Sequence, residues 1–346
     1  MKKPITDSKG IFAAMRKRRV YHHFSFVLLL LITLFLALLS LVYGHTVYSL
    51  QDTFQVLFGG KFVPGASFTI SVLRLPRMLA GLLAGFAFGI AGYTFQTMLH
   101  NPLANPDVLG VTSGSSCVVV ICILLLHTTK STMFIASVFA GVLTVIILFS
   151  LSNHKGLAAT RVIIIGIGLQ AFYNAIISYL TITGDQRDLP EALRWLNGSL
   201  DGMTTAQLPL LTIVVILLTP IVLHFGRRLQ VLRLGDEMAL SLGINVNWTK
   251  GILLGTTVVM TAVATAVTGP IAFVSFLAGP LTDRFMEKGR NNALAAGMVG
   301  ASLVLVSDLI GQYAFPYRFP VGVITGLIGA PYLIWQLIWM SKRGGV

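Results

Sequence analysis

The chain has 346 residues, 55% of them hydrophobic and 11% charged, with a mean hydropathy of +0.82. A soluble domain carries roughly 25% charged residues, so this composition excludes one and leaves no room for an appended catalytic domain. The formal charge of +13 would suggest nucleic acid in a soluble protein; in a polytopic one, what matters is where Lys and Arg fall relative to the spans, and no nucleic-acid partner is expected.

Residues 1–23 form a basic segment (Lys2, Lys3, Lys9, Arg16 to Arg19). The apolar run that follows is about 20 residues long, enough to span a bilayer, and lacks a small-residue cleavage site, so it reads as a retained first span and not as a signal peptide. Apolar windows at 24–43, 78–99, 111–127, 132–151, 162–183, 207–225, 250–268, 271–286, 292–311 and 321–340 predict ten helices in one transmembrane domain, 24–340, followed by a short tail, 341–346. The division between the seventh and eighth rests on Thr268-Gly269-Pro270, which is either a turn at the membrane surface or a broken helix buried within protein. Cys117 and Cys122 point to different sides of one helix and predict neither a disulfide nor a metal site.

With the N-terminus inside, seven of the 25 Lys and Arg lie outside, namely Lys61, Arg74, Arg77, Lys130, Arg187, Arg194 and Arg318, which leaves 18 inside. The positive-inside rule therefore places both termini in the cytoplasm, and ten spans have the right parity. Arg74 and Arg77 then stand on the outer face, where cations are sparse. Pro76 suits the first turn of the second span, where positive charge opposes the helix dipole. Either both side chains reach up to lipid phosphates, or they form an electropositive patch that awaits a carboxylate from an extracytoplasmic partner.

Beyond the arginines, Gly81, Gly85, Gly89 and Gly92 fall on one helix face, a smooth stripe for close packing. Gly322 and Gly326 in the last span predict the same. No histidine pair except His22 and His23 has metal-ligand spacing, and no phosphate-binding loop or nucleophile motif is present. Asp107, Asp283, Asp308 and the other acids are placed in loops or at helix ends, so a carrier coupled to protons or sodium lacks its usual intramembrane carboxylates. If the chain transports something, the energy comes from elsewhere. The longest inside connection, 226–249, can receive it. Gly235, then Asp236 and Glu237 in a first turn, and Gly243 after Leu242 predict a two-turn helix, either a plain amphipathic connector or a coupling helix that docks in an ATPase.

Read together, RLPRMLAGLLAGFAFGIAGYTFQTMLHNPLANPDVLGVTSG (74–114), GDEMALSLGINV (235–246), TGPIAFVSFLAGP (268–280) and PVGVITGLIGAP (320–331) resemble the permease family of ABC importers for iron-siderophores, haem and vitamin B12. The resemblance covers about 24–340, with its motifs in family order. It implies an all-α polytopic fold of the type II importer class in a bacterial cell membrane, working as a dimer with two cytoplasmic ATPase subunits and an extracytoplasmic substrate-binding protein. This chain would hold no cofactor and no catalytic site, since ATP and Mg belong to the ATPases. Arg74 and Arg77 match residues that receive glutamates of the binding protein. Gly235, Asp236, Glu237, Ala239, Leu242 and Gly243 match the ATPase-coupling helix. Asn101, Pro102 and Leu103, with Ala159 and Thr160, match loops that narrow the cytoplasmic end of the path, and the helix around 161–183 is similar to channel-lining ones.

Two departures from the family pattern stand out. Gln312 occupies a position where many members carry a third outer arginine, and Ala272, Ser275, Ala278 and Gly279 replace the usual residues before Pro280-Leu281. Such asymmetry fits a heterodimer in which a second, non-identical permease supplies the missing features. The resemblance leads to a ferric siderophore as cargo, with haem or cobalamin as alternatives; a secondary carrier or a membrane scaffold is the reading from another class.

Overall fold

The computed structural model describes residues 8–60, 63–152, 159–287 and 289–342, and at 8–15, 17, 159, 160, 340 and 342 the backbone alone. Lys61, Lys155 and Lys288, and the ends of the basic N-terminal segment and of the tail, lie outside the described residues. Within those residues the chain is helical. Ser8–Val42 (α1) leads to a short amphipathic helix, Leu50–Phe58 (α2), capped by Ser49 Oγ on Asp52 N–H. There follow Ala66–Leu99 (α3), Val111–Leu126 (α4), Lys130–Ser152 (α5) and Ala159–Thr183 (α6). Leu189–Leu196 (α7) precedes Leu208–His224 (α8), and Gly226–Leu232 (α9) and Asp236–Ser241 (α10) make the inner connection. Val246–Thr268 (α11), Val274–Phe285 (α12), Ala293–Tyr313 (α13) and Val321–Lys342 (α14) complete the bundle.

Each of the ten predicted windows coincides with a helix. Eight helices are long and apolar enough to cross a membrane. The others are α4, eleven residues of α-helix continued by five of π-helix, and α12, with twelve residues and a length of about 18 Å. Both are shorter than a hydrocarbon core of about 30 Å requires. They fit because protein, not lipid, surrounds them: Val274 to Gly279 are all buried, as are Ser115, Ser116 and Cys117. The 268–270 break is of the buried kind. Gly269 takes φ +70°, the Thr268 carbonyl accepts from Ser199 N–H at 2.8 Å, and a methyl on Gly269 would stand 2.5 Å from the Trp195 carbonyl oxygen.

One expectation needs correction. Pro76 does not open the second span, because α3 begins ten residues earlier at Ala66. The helix absorbs the proline through a π-helical stretch, Thr69–Arg74, in which Leu75 N–H donates to the Ile70 carbonyl. The wider turn accommodates a ring that would otherwise crowd the preceding carbonyls. Arg74 and Arg77 thus stand well inside a helix, and the argument from the helix dipole does not apply to them.

The core lies around α3, α11 and α13, whose apolar windows are 78%, 78% and 67% buried, against 11% for α6. The glycine stripe explains the first of these. A methyl on Gly85 would lie 2.6 Å from the Gly300 carbonyl oxygen of α13, and methyls on Gly89 and Gly92 would overlap the Ala296 and Ser275 carbonyls. The backbones touch because nothing stands between them. Gly322 likewise packs on Asn197, but Gly326 faces open space, so the packing expectation holds at one position of that pair only.

Candidate functional site

At the outer end, the two arginines are already partnered. Arg77 forms a fork with Asp308 of α13, from Nε to Oδ2 at 2.9 Å and from Nη2 to Oδ1 at 2.8 Å, and its Nη1 donates to Asp201 in the loop before α8. Asp308 is 5% exposed and also accepts from Gln312 Nε2 at 2.7 Å. Arg74 donates to the Leu41 and Val42 carbonyls at the end of α1 and to that of Thr46 in the following turn, at 2.7–2.9 Å, and lies over the Tyr48 ring at 5.1 Å. A side chain at Gly44 would collide with this guanidinium. Both guanidiniums thus have partners within the chain. Arg77 holds two carboxylates of its own chain, Arg74 is a clamp on α1, and Gln312 joins their cluster. Asp308 lies near the outer end of α13 but is buried there, where a carboxylate persists only when paired.

The inner connection matches its sequence more closely. Gly235 (φ +103°) opens α10, Leu242 is its C-cap and Gly243 takes the left-handed φ of +80°, the conformation that favours glycine. The helix has six residues, slightly less than the two turns expected. Ala239 is fully buried against Leu232 and Val246, and Asp236 accepts from Lys250 of α11 at 2.6 Å. Glu237 is exposed, as are Leu234, Met238, Leu240, Leu242 and Trp248, the apolar ones at 52–65%. Small and charged residues anchor this helix, and large apolar ones are displayed.

Behind it, the inner end of α3 makes a hub. The buried Tyr93 hydroxyl accepts from Gln230 Nε2 of α9 and from Asn292 N–H, both at 3.1 Å. Arg233 donates to Thr97 at 3.2 Å and lies 3.4 Å from Asp283, with Tyr93 beneath it, and the His100 ring donates to the Leu232 carbonyl. Tyr93, Thr97, His100, Arg233 and Asp283 line a cavity of about 390 Å³ with Asn101 and Pro102. The Asn101 side chain accepts from Leu103 N–H at 2.8 Å and closes the turn. In the same loop the Asp107 carboxyl accepts from Thr112 and Asn105, both at 2.8 Å; burial pushes it above the usual carboxylate range, and those hydrogen bonds pull it partway back. Ala159 and Thr160 begin α6, with their side chains and the preceding 153–158 outside the description. Further along, α6 packs on the 106–109 turn, where a methyl on Gly166 would stand 2.8 Å from Leu109 Cα.

The sequence reading missed Asp201, Asp308, Lys250 and Tyr93 as members of these sites. Lys250 carried a usable signal: a lysine fourteen positions after an acid, inside an apolar window, needs a partner. Asp201 and Tyr93 carried none, since their partners lie far along the chain.

A buried, glycine-packed bundle with a displayed inner helix defines a polytopic permease of the ABC importer class. A model of the FecCD transport family matches residues 30–339, and the chain belongs to that family. It is 32% identical over 301 residues to the ferric enterobactin transport system permease protein FepG of Escherichia coli K12, covering 87% of this chain and 91% of the relative. It is 35% identical over 272 residues to the Fe(3+) dicitrate transport system permease protein FecD of the same strain, covering 77% and 84%. A solved inward-facing metal-chelate type ABC transporter superposes with a TM-score of 0.80 at 25% identity, covering 91% of this chain and 98% of that one. The fold is the type II importer permease fold, and the chain is a multi-pass protein of the bacterial cell membrane.

Proposed function

We propose that this chain passes a ferric chelate, of the siderophore or citrate kind, delivered from outside by a binding protein and driven by ATP hydrolysis in two cytoplasmic partner subunits. The observation that carries the reading is α10: glycine-bounded, tied to α11 by Lys250 and displaying Met238, Leu240 and Leu242 toward the cytoplasm. An ATPase groove would cover that face, and the relatives named for ferric enterobactin and ferric dicitrate supply the cargo class. ATP and Mg are bound by the partners, and this chain contributes no catalytic group. Asn101 to Leu103 and the start of α6 narrow the inner end of the path. Arg74, Arg77 and Gln312 set the shape of the outer face.

The path runs between two permease subunits. α6 displays Ile164, Ile167, Phe172, Tyr179 and Ile182, each more than half exposed, along most of its length, and its apolar window is the least buried of the eight long helices, at 11%. A non-identical second permease supplies the outer features that Gln312 lacks. Uptake of a ferric chelate into vesicles holding the whole complex tests the reading. ATP-dependent accumulation that survives a protonophore is expected; accumulation without the ATPases would establish a secondary carrier, and haem or cobalamin uptake in its place would reassign the cargo. Recovery of this chain as the sole permease in the purified complex would remove the heterodimer.

A further inference from the structure

The nine residues of α2 divide into three flanks. Thr53 and Leu57, one turn apart, face the bundle: Thr53 is buried, and Leu57 packs on the cluster of Ala37, Leu41, Met78 and Leu305. Leu50, Phe54 and Phe58 recur at four-residue spacing along a second flank, each more than half exposed, with the two phenyl rings stacked at 6.0 Å between centroids. Asp52 lies roughly 160° round from the middle of that stripe, at about 100° per residue, and its carboxylate accepts from Ser49 Oγ. An apolar stripe with the charge opposite suits a boundary between water and hydrocarbon. The depth of α2 follows from what Leu57 touches. Ala37 and Leu41 belong to the last two turns of α1, which ends at Val42, and an apolar run of about 20 residues reaches across the hydrocarbon core. α2 therefore sits level with the outer edge of that core. Tyr43, next after α1, meets the Tyr313 ring edge-on at 5.2 Å, as aromatic residues do at headgroup level. Exposed apolar residues continue on the two helices that α2 joins, with Leu31, Leu34 and Phe35 on α1 and Phe68, Val72 and Leu73 on α3.

We infer that α2 lies in the plane of the outer leaflet, with Leu50, Phe54 and Phe58 set among the acyl chains beneath the phospholipid headgroups and Asp52 turned to water. A soluble protein is the alternative occupant of the stripe, and two observations disfavour it. The stripe stands at the edge of the hydrocarbon core and continues the lipid-facing surface of α1. A protein arriving from the aqueous side meets the Asp52 flank first. The seat has a consequence for the outer face. The Tyr48 hydroxyl donates to the Gly65 carbonyl at 3.1 Å, and Arg74 of α3 grips the Leu41, Val42 and Thr46 carbonyls. The connection from α1 to α3 is thus fastened to both helices, and a lipid-held α2 sets the height at which this corner of the protein stands in the bilayer.

The test uses the whole complex in nanodiscs of phosphatidylethanolamine and phosphatidylglycerol, with a nitroxide attached in turn at Phe54→Cys, Phe58→Cys and Asp52→Cys; the native Cys117 and Cys122 are buried. Oxygen, which concentrates among acyl chains, should relax the labels at the two Phe positions severalfold more than a water-soluble nickel chelate does, and the order should reverse at the Asp position. Phe58→Trp keeps an apolar ring on the stripe and gives a second reading. The fluorescence it adds to that of the unaltered protein should be quenched by brominated phospholipid and spared by aqueous iodide. Stronger relaxation by nickel at both Phe positions, or iodide quenching of the added tryptophan, places the stripe in water and overturns the inference. Exclusion of oxygen and nickel alike, from the outset or once the extracytoplasmic binding protein is added, gives the stripe to a protein and overturns it too.

Discussion

The outer and inner ends of α3 use the same interaction to opposite effect. Outside, Arg77, Asp308 and Asp201 face inward and neutralise one another, so the charges that look most available in the sequence are the ones least available to a partner. Inside, the Lys250–Asp236 pair fixes a short helix whose apolar residues are thereby held out for contact. In both places an ion pair positions a segment and leaves other side chains uncovered. Outside, Lys130, Arg187 and Arg194 stand exposed; inside, Met238, Leu240 and Leu242 do.

The comparison breaks most readily at Asp308. With 5% exposure, its loss in Asp308→Ala leaves Arg77 short of its main counter-charge in a shielded site. Removing one partner of a buried pair costs about 3–5 kcal/mol. Thermal unfolding of the detergent-solubilised protein should show a large drop, and Asp308→Asn a smaller one. Were Asp308→Ala to melt like the wild type, Arg77 would be solvated and not held in a buried pair.

At the opposite end, Tyr93→Phe removes an acceptor from Gln230 Nε2 and Asn292 N–H and leaves the ring in place under Arg233. Stranding buried donors costs about 1–3 kcal/mol. The sharper expectation is functional: α9, which leads into α10, loses a tie to α3. Stimulation of ATP hydrolysis by the binding protein should fall while basal hydrolysis stays. Equal loss of both rates would mean that Tyr93 serves stability alone.

How far these two regions were legible in the sequence differs for a physical reason. The inner helix is local. Its glycines, acids and apolar residues lie within 235–246, and backbone conformation at Gly235 and Gly243 follows from residue type. The ten apolar helices were legible on the same grounds, because hydropathy acts window by window. The outer cluster joins residues 77, 201, 308 and 312, and nothing in a window around Arg77 says that a carboxylate 231 positions away will reach it. Pro76 misled for a related reason. Proline opens many helices, and only the π-helical stretch before it, a response to packing, shows that this helix began earlier.

Gly243 carries the smallest effect, and one that separates backbone from contact. Its φ of +80° and the open space around it mean that alanine would meet no neighbour, so the whole cost of Gly243→Ala is the left-handed conformation, about 1–2 kcal/mol. That strain falls on the C-terminal end of α10, beside Leu242, and not on the Lys250 anchor at its start. Melting of the whole protein should barely move, since a six-residue surface helix can fray on its own. ATP-driven uptake should fall severalfold, because a frayed end no longer holds Leu240 and Leu242 in place. Gly235→Ala, also in open space at φ +103°, strains the other end and should do the same. If both variants take up the ferric chelate at the wild-type rate, the inner connection needs only to be present, not held in one shape, and the coupling role passes to its side chains alone.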